Sequence, residues 1–210
     1  MNLIHMAREI HRLAAQKGWW PEGEEKDIRE IFALIHGEWS EALEAHRDGW
    51  PMVGRMCMEG DGPHHICRYD AVDCLCANEQ SCPVRGHKPE GIAVELIDGC
   101  IRLLDYVGSM KGMGDRTQWC FENMPIEAEE MSMKRFGIDG KMPLPVLVCE
   151  LHEHTVNALV FEGARADAIF AIIAIVFGWI RAQGVSPWAV MEEKHEYNRG
   201  REWRHGGKLC

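Results

Sequence analysis

Between Ile31 and Ala45 the chain sets apolar residues at spacings of three and four, as one face of a helix requires, yet two of the five positions on that stripe are Glu38 and Glu41. A carboxylate turned toward a packed interior is strongly disfavoured unless it is neutralised, hydrogen-bonded or bound to a cation. The stripe Ile31, Leu34, Glu38, Glu41, Ala45 therefore demands a partner for its acids elsewhere in the fold.

A second segment supplies candidates. In "GIAVELIDGCIRLLDYVG" (91–108) the spacing predicts a helix with Val94, Ile97, Ile101 and Leu104 as its buried seam. Glu95 and Asp98, three residues apart, share another face, and Arg102 and Asp105 continue that stripe. If the two helices pack antiparallel, Glu38, Glu41, Glu95 and Asp98 gather around one point. Four carboxylates repel one another, and hard divalent cations that prefer oxygen ligands relieve this, so the pattern asks for Mg²⁺ or Mn²⁺. The alternative is a set of exposed acids, which are common at this spacing on helices.

Charge and length narrow the classes. A formal charge of −10 over 210 residues argues against nonspecific binding of nucleic acid or anionic lipid. The length suits a single domain carrying insertions, spanning 1–210. Nine cysteines, an odd number, fit reduced thiols better than a disulfide framework, and Arg8 and Glu9 interrupt any apolar core of a signal peptide, so a cytoplasmic location is expected. The longest apolar run, Ala168 to Ile180, falls short of the roughly 20 residues of a bilayer span. It is expected to form a helix buried on nearly all sides, with no membrane involved.

Elsewhere Leu3, Met6, Ile10 and Leu13 predict a first helix stopping at Gly18, and the Glu38 helix is expected from near Glu24 to about Asp48. Residues 51–89 form a Cys, His, Gly and Pro-rich insert without helical period. Residues 109–146, with Pro125, Pro143 and Pro145, form a long irregular connection containing one short helix. Periodicity returns with "VLVCELHEHTVNALVF", and Ser186 and Pro187 make an N-cap and first turn for a last helix ending near Asn198 or Gly200. No segment alternates, so the expected class is an all-α helical bundle.

That last helix opens a basic strip. Between Lys194 and Lys208 stand five Lys/Arg and two Glu, and Lys194 and Asn198 are one turn apart. Beside an acidic metal cluster such a strip suits a polyphosphate, with cations on some oxygens and Lys or Arg on the rest; a frayed basic tail is the plainer reading. Trp19 and Trp20 are candidates for stacking on a base, or for buried structural aromatics.

Three quoted segments, "HGEWSEALEA", "KPEGIAVELIDGCIRLLDY" and "KHEYNRGREWRHGGK", resemble the MazG-type all-α nucleoside triphosphate pyrophosphohydrolases of phages and bacteria. The resemblance covers about residues 1–50, 88–108 and 186–208. It implies a MazG-like bundle with Glu38, Glu41, Glu95 and Asp98 as metal ligands and catalytic acids, and Lys194, Asn198 and Arg201 as substrate contacts. The implied reaction hydrolyses a (deoxy)nucleoside triphosphate, a purine dNTP such as dGTP among the candidates, to monophosphate and pyrophosphate with Mg²⁺ or Mn²⁺, in a homodimer or homotetramer. Two features depart from the pattern: Gly37 stands where many relatives carry a further Glu, and the insert separates the two acidic motifs. Related expectations are a dUTPase-like or phosphoribosyl-ATP pyrophosphohydrolase-like enzyme, or a non-catalytic regulatory protein on the same bundle.

The insert admits two readings. Cys57, Cys67, Cys74, Cys76 and Cys82, with His64, His65 and His87, could fold around zinc. The spacing contains "CLC" but no Cys-x-x-Cys pair, which favours reduced thiols in a loop over the mouth of the site. Cys100 and Cys149 are expected as small core residues.

Overall fold

Short polar side chains open three of the helices by accepting from their first unpaired N–H groups. Asn2 caps α1 (Leu3–Gln16), Asp27 caps α2 (Ile28–Arg47), and Ser186 caps the last helix, with cap bonds of 2.9 Å to Ile4, 2.9 Å to Arg29 and 3.3 Å to Ala189. In the computed structural model, which describes residues 2–20, 26–57, 65–68, 88–110, 115–122 and 133–204, the chain is mostly helical. After α2 come strands β1 (Gly54–Cys57), β2 (His65–Arg68) and β3 (Pro89–Glu90). Helices α3 (Ile92–Ser109), α4 (Asp115–Glu122), α5 (Leu144–Val160), α6 (Arg165–Ala182) and α7 (Pro187–Gly200) follow.

The central element is α3. It packs against α1, α2, α6 and α7 and buries residues around most of its circumference, from Ile92 to Val107. Each fully buried Leu, Ile or Phe contributes about 1.5–3 kcal/mol, so a helix with this many apolar faces becomes the axis on which the others condense. Trp39 on α2 lies against Gly99, where an added Cβ would fall inside the indole ring. Glu38 reaches Arg102, and Phe32 meets Tyr106 edge-on at 6.1 Å. Residue numbers rise on α3 as they fall on α2, so the two helices run antiparallel, as the two acidic pairs require. On its far side α2 runs parallel to α5, with Trp39 Nε1 donating to Thr155 Oγ1 at 2.9 Å and the Nδ1 atoms of His36 and His152 2.7 Å apart.

The insert is not wholly unpatterned. Its ends form a three-stranded antiparallel sheet ordered β2-β1-β3, with Gly54 opposite both Arg68 and Glu90. This sheet sets the start of α3. Gly91, at φ +125°, brings its backbone so close to Pro51 and Met52 that a Cβ would lie 2.7 Å from the Pro51 carbonyl, and those two carbonyls accept from Ile92 N at 3.0 Å and Ala93 N at 2.8 Å. The first turn of α3, which carries Glu95, is thereby fixed by the strands.

Several expectations are corrected. Helix α2 begins at Ile28 because Asp27 caps it; Glu24 lies outside the described residues. Its buried stripe is Ile31, Phe32, Ile35, Trp39, Ala42 and Ala45, with Glu38 buried at its edge and Glu41 exposed. Ile101 is only partly buried. Two of the three prolines assigned to the irregular connection instead open α5: Pro143 is its N-cap and Pro145 lies in its first turn, where a missing N–H is harmless, while Pro125 lies outside the described residues. The short helix expected in that connection is matched by α4, whose Phe121 is buried edge-on to Phe170 at 5.5 Å, and a further helical turn stands at 133–135. Cys149 is exposed rather than in the core, while Cys100 is buried, which pushes its thiol pKa up.

The apolar run also extends further than its composition suggests. Joined to a 3-10 turn at Glu162–Ala164, helix α6 gives a 21-residue segment, Glu162–Ala182, with mean hydropathy 1.8, long and apolar enough by length and composition to cross a membrane. Half of the most apolar window is buried within the fold, where α6 packs on α3, α4, α5 and α7.

Candidate functional site

A cleft of about 270 Å³ lies between α1, α2, α3 and α7. Glu38 of α2 and Glu95 and Asp98 of α3 form its floor, with carboxylate oxygens within 4.8 Å of one another. Glu41, one turn along α2, lies exposed at the rim. Three of the four acids expected at one point thus converge closely, and the fourth lines the same cleft.

The floor is crowded with opposing demands. Burial pushes the Glu95 carboxyl up to about 9, helped by the Asp98 charge and by a hydrogen bond with Glu90. Burial also raises Glu38, beyond what its ion pair with Arg102 can offset, with Asp98 and Glu41 adding to the rise. Across the cleft Lys194 is 1% exposed and lies 2.7 Å from Asp98 Oδ2. Burial works against its ammonium, but Asp98 and Glu95 outweigh it and the pKa rises. The raised pKa of Glu95 and the two cations on Glu38 and Asp98 therefore ease the repulsion within the acid cluster.

The oxygen-rich donor set fits a hard divalent cation. Two buried carboxylates, Glu38 and Glu95, and the partly buried Asp98 already lie within the reach of one small ion, and Arg102 and Lys194, the counter-charges now on Glu38 and Asp98, are long side chains able to turn toward an anionic ligand.

The substrate contacts suggested by the resemblance also line this cleft. Lys194, Asn198 and Arg201 come from α7 and the residue after it. Asn198 Oδ1 is buried without a hydrogen-bond partner, and a buried acceptor in that state calls for a donor from a ligand or water. Arg201 lies over the Tyr197 ring at 5.8 Å, and its backbone carbonyl accepts from Lys17 Nζ, which ties α1 to the end of α7. Arg204 adds a second tie, donating from Nε to Gly18 O at 3.0 Å.

Other residues of the site escaped the sequence reading. Glu90, 1% exposed, pairs with Lys88 and hydrogen-bonds Glu95. It precedes the Glu95 helix on a strand the sequence did not signal, so only its place in "KPEG" marked it. Lys17, Lys26 and Lys88 join the cationic side, and His195 is buried beside Lys194, which lowers its pKa. Trp19 lines the cleft, whereas Trp20 is held by a hydrogen bond to Asp105, the structural role for that indole. Of the cysteines suggested for zinc, Cys57 and Cys67 lie on β1 and β2, and Cys74, Cys76 and Cys82, like His64 and His87, fall outside the described residues.

Fold and cleft together define a mostly helical protein with an acidic floor, a cationic wall and an apolar flank in a single cavity. No protein-family model, curated protein or solved structure matches the chain.

Proposed function

We propose that the cleft hydrolyses a (deoxy)nucleoside triphosphate to the monophosphate and pyrophosphate, on a MazG-like bundle and with Mg²⁺ or Mn²⁺ at Glu38, Glu95 and Asp98. The observation that carries this reading is the convergence of those three acids, two buried and Asp98 partly so, directly opposite Lys194, with Lys17, Lys88 and Arg201 on the same cleft. A cation-only cleft would bind anions and an acid-only cleft would bind metal. The two surfaces facing each other suit a metal-complexed polyphosphate.

A divalent ion held there supplies Lewis-acid polarisation of phosphoryl oxygens. Everything else falls to the chain. Lys194 and Arg201 offset charge on the phosphates, Asn198 accepts a hydrogen bond from the substrate through its unpaired Oδ1, and Arg102 is free to follow the substrate once Glu38 gains another partner. Glu41, open to solvent at the rim and one turn from Glu38, orients and deprotonates the attacking water. The enclosed floor keeps competing water away from the reacting phosphorus.

We place the protein as a homodimer or homotetramer. Val146, Val156, Val160 and Phe161 on and just after α5 are 45–64% exposed, an apolar face that a second copy would cover. The function is tested with a panel of canonical and modified NTPs and dNTPs, scored for monophosphate and pyrophosphate. Mg²⁺-dependent pyrophosphate release is expected, and it should vanish in Glu41→Gln and Asp98→Asn while the helical circular dichroism persists. Retained release in both variants refutes the site. Release of orthophosphate, or activity confined to dUTP or phosphoribosyl-ATP, would move the protein to a different reaction or substrate.

A further inference from the structure

The polar stripe on α3 does not end at the metal-binding acids. Asp105 stands seven residues beyond Asp98, on the same face and about 10 Å further along the axis at 1.5 Å per residue, and it lines the same cleft. Its surroundings differ from those of Glu95 and Asp98. Ile10, Leu13 and Ala14 of α1, Trp19 beyond it and Ile101 one turn earlier on α3 make an apolar flank there.

The carboxylate is locked in place. Trp20 Nε1 donates to both of its oxygens at 2.9 Å, His11 Nδ1 lies 2.9 Å from Oδ1, and the two rings meet edge-on with centroids 4.8 Å apart. An ionised carboxylate offers about four acceptor sites and no donor. Trp20 has a single N–H to share between two oxygens, so acceptor capacity remains, and the side chain keeps 20% of its surface accessible. A rigid acceptor at the apolar end of a polyphosphate cleft, two helical turns from the metal-binding acids, lies where the base of a nucleotide would reach.

We infer that Asp105 reads the base, and that the base it selects offers two adjacent N–H donors, the edge that guanine presents. Adenine and cytosine set an amino group beside a ring nitrogen that accepts, and uracil and thymine set one N–H between two carbonyls; each turns a lone pair toward the carboxylate. Only guanine among the common bases avoids that repulsion. The inference rests on the triphosphate lying over the acids, as in the reading above, but its test does not depend on catalysis.

The test is calorimetric binding, with Mg²⁺, of the non-hydrolysable α,β-methylene analogues of GTP, ITP and ATP to the full chain. Inosine lacks only the exocyclic amino group, and a hydrogen bond to a charged acceptor is worth about ten- to hundredfold, so the GTP analogue should bind tighter than the ITP analogue by that factor. In Asp105→Asn, whose amide turns a donor toward one of the base donors, the ratio should collapse to about threefold or less. Wild-type binding that ignores the amino group, a preference that survives in Asp105→Asn, or no binding of any analogue overturns the inference. The wild-type comparison needs no variant, so misfolding of Asp105→Asn would not shield it. Base-blind binding with intact hydrolysis sinks this inference alone. Absent hydrolysis with guanine-selective binding sinks only the catalytic reading.

Discussion

Glu95→Gln isolates the proton that holds the acid cluster together. Glu95 titrates near 4.5 in an ordinary setting and is raised to about 9 in the folded chain, first by burial, then by the Asp98 charge and the hydrogen bond its protonated form donates to Glu90. A carboxyl raised in this way contributes stability that is fully present below its unfolded value and is lost as pH rises through its folded one. Between those limits the folded chain keeps a proton the unfolded chain has released, so stability falls by up to about 1.4 kcal/mol per pH unit. From about pH 5.5 to about pH 7.5 that amounts to roughly 2.7 kcal/mol, a large share of the total stability of a typical domain. Glutamine is neutral throughout and lacks this dependence, while the raised Glu38 titrates in both proteins and cancels in the difference. Urea denaturation of both proteins with a chelator present, at several pH values across that range, should show wild type losing about 2–3 kcal/mol relative to Glu95→Gln. Parallel pH profiles, with a difference constant to about 0.5 kcal/mol, would refute the account of the acid floor.

Further outcomes follow from the same packing. Gly99→Ala forces a methyl into the Trp39 ring, which is fully buried and has no room to retreat, and should destabilise by about 1–3 kcal/mol in thermal or chemical melts; an unchanged midpoint would place the ring elsewhere. Lys194→Met strips Asp98 and Glu95 of their buried cation and should destabilise by about 3 kcal/mol at neutral pH. An unchanged midpoint in urea or heat would contradict the pairing. Replacing Val160 and Phe161, both more than 60% exposed, with Ser should shift the protein toward monomer in light scattering after size exclusion, with helical content unchanged; an unaltered mass removes α5 from the interface.

The helix periods, the cap at Ser186 and the existence of the two helices carrying Glu38 and Glu95 follow from local spacing, because apolar repeats and short polar side chains act over a few residues and leave their mark in any window of that size. So does the grouping of acids by face, since helical geometry alone decides which residues share a side. The rest depended on contacts between distant segments. Glu41 and Glu38 look equivalent in the sequence, yet Trp39 docking on Gly99 rotates α2 so that one is buried and the other open. Glu90 joins the floor because a short antiparallel pairing across the insert delivers it there, and the Pro51 and Met52 carbonyls pin the start of α3. Asp105 becomes part of an apolar flank only when α1 and the Trp19–Trp20 turn close over it. Burial, and with it the raised pKa of Glu95, belongs to the assembled fold, because desolvation arises from every neighbour at once.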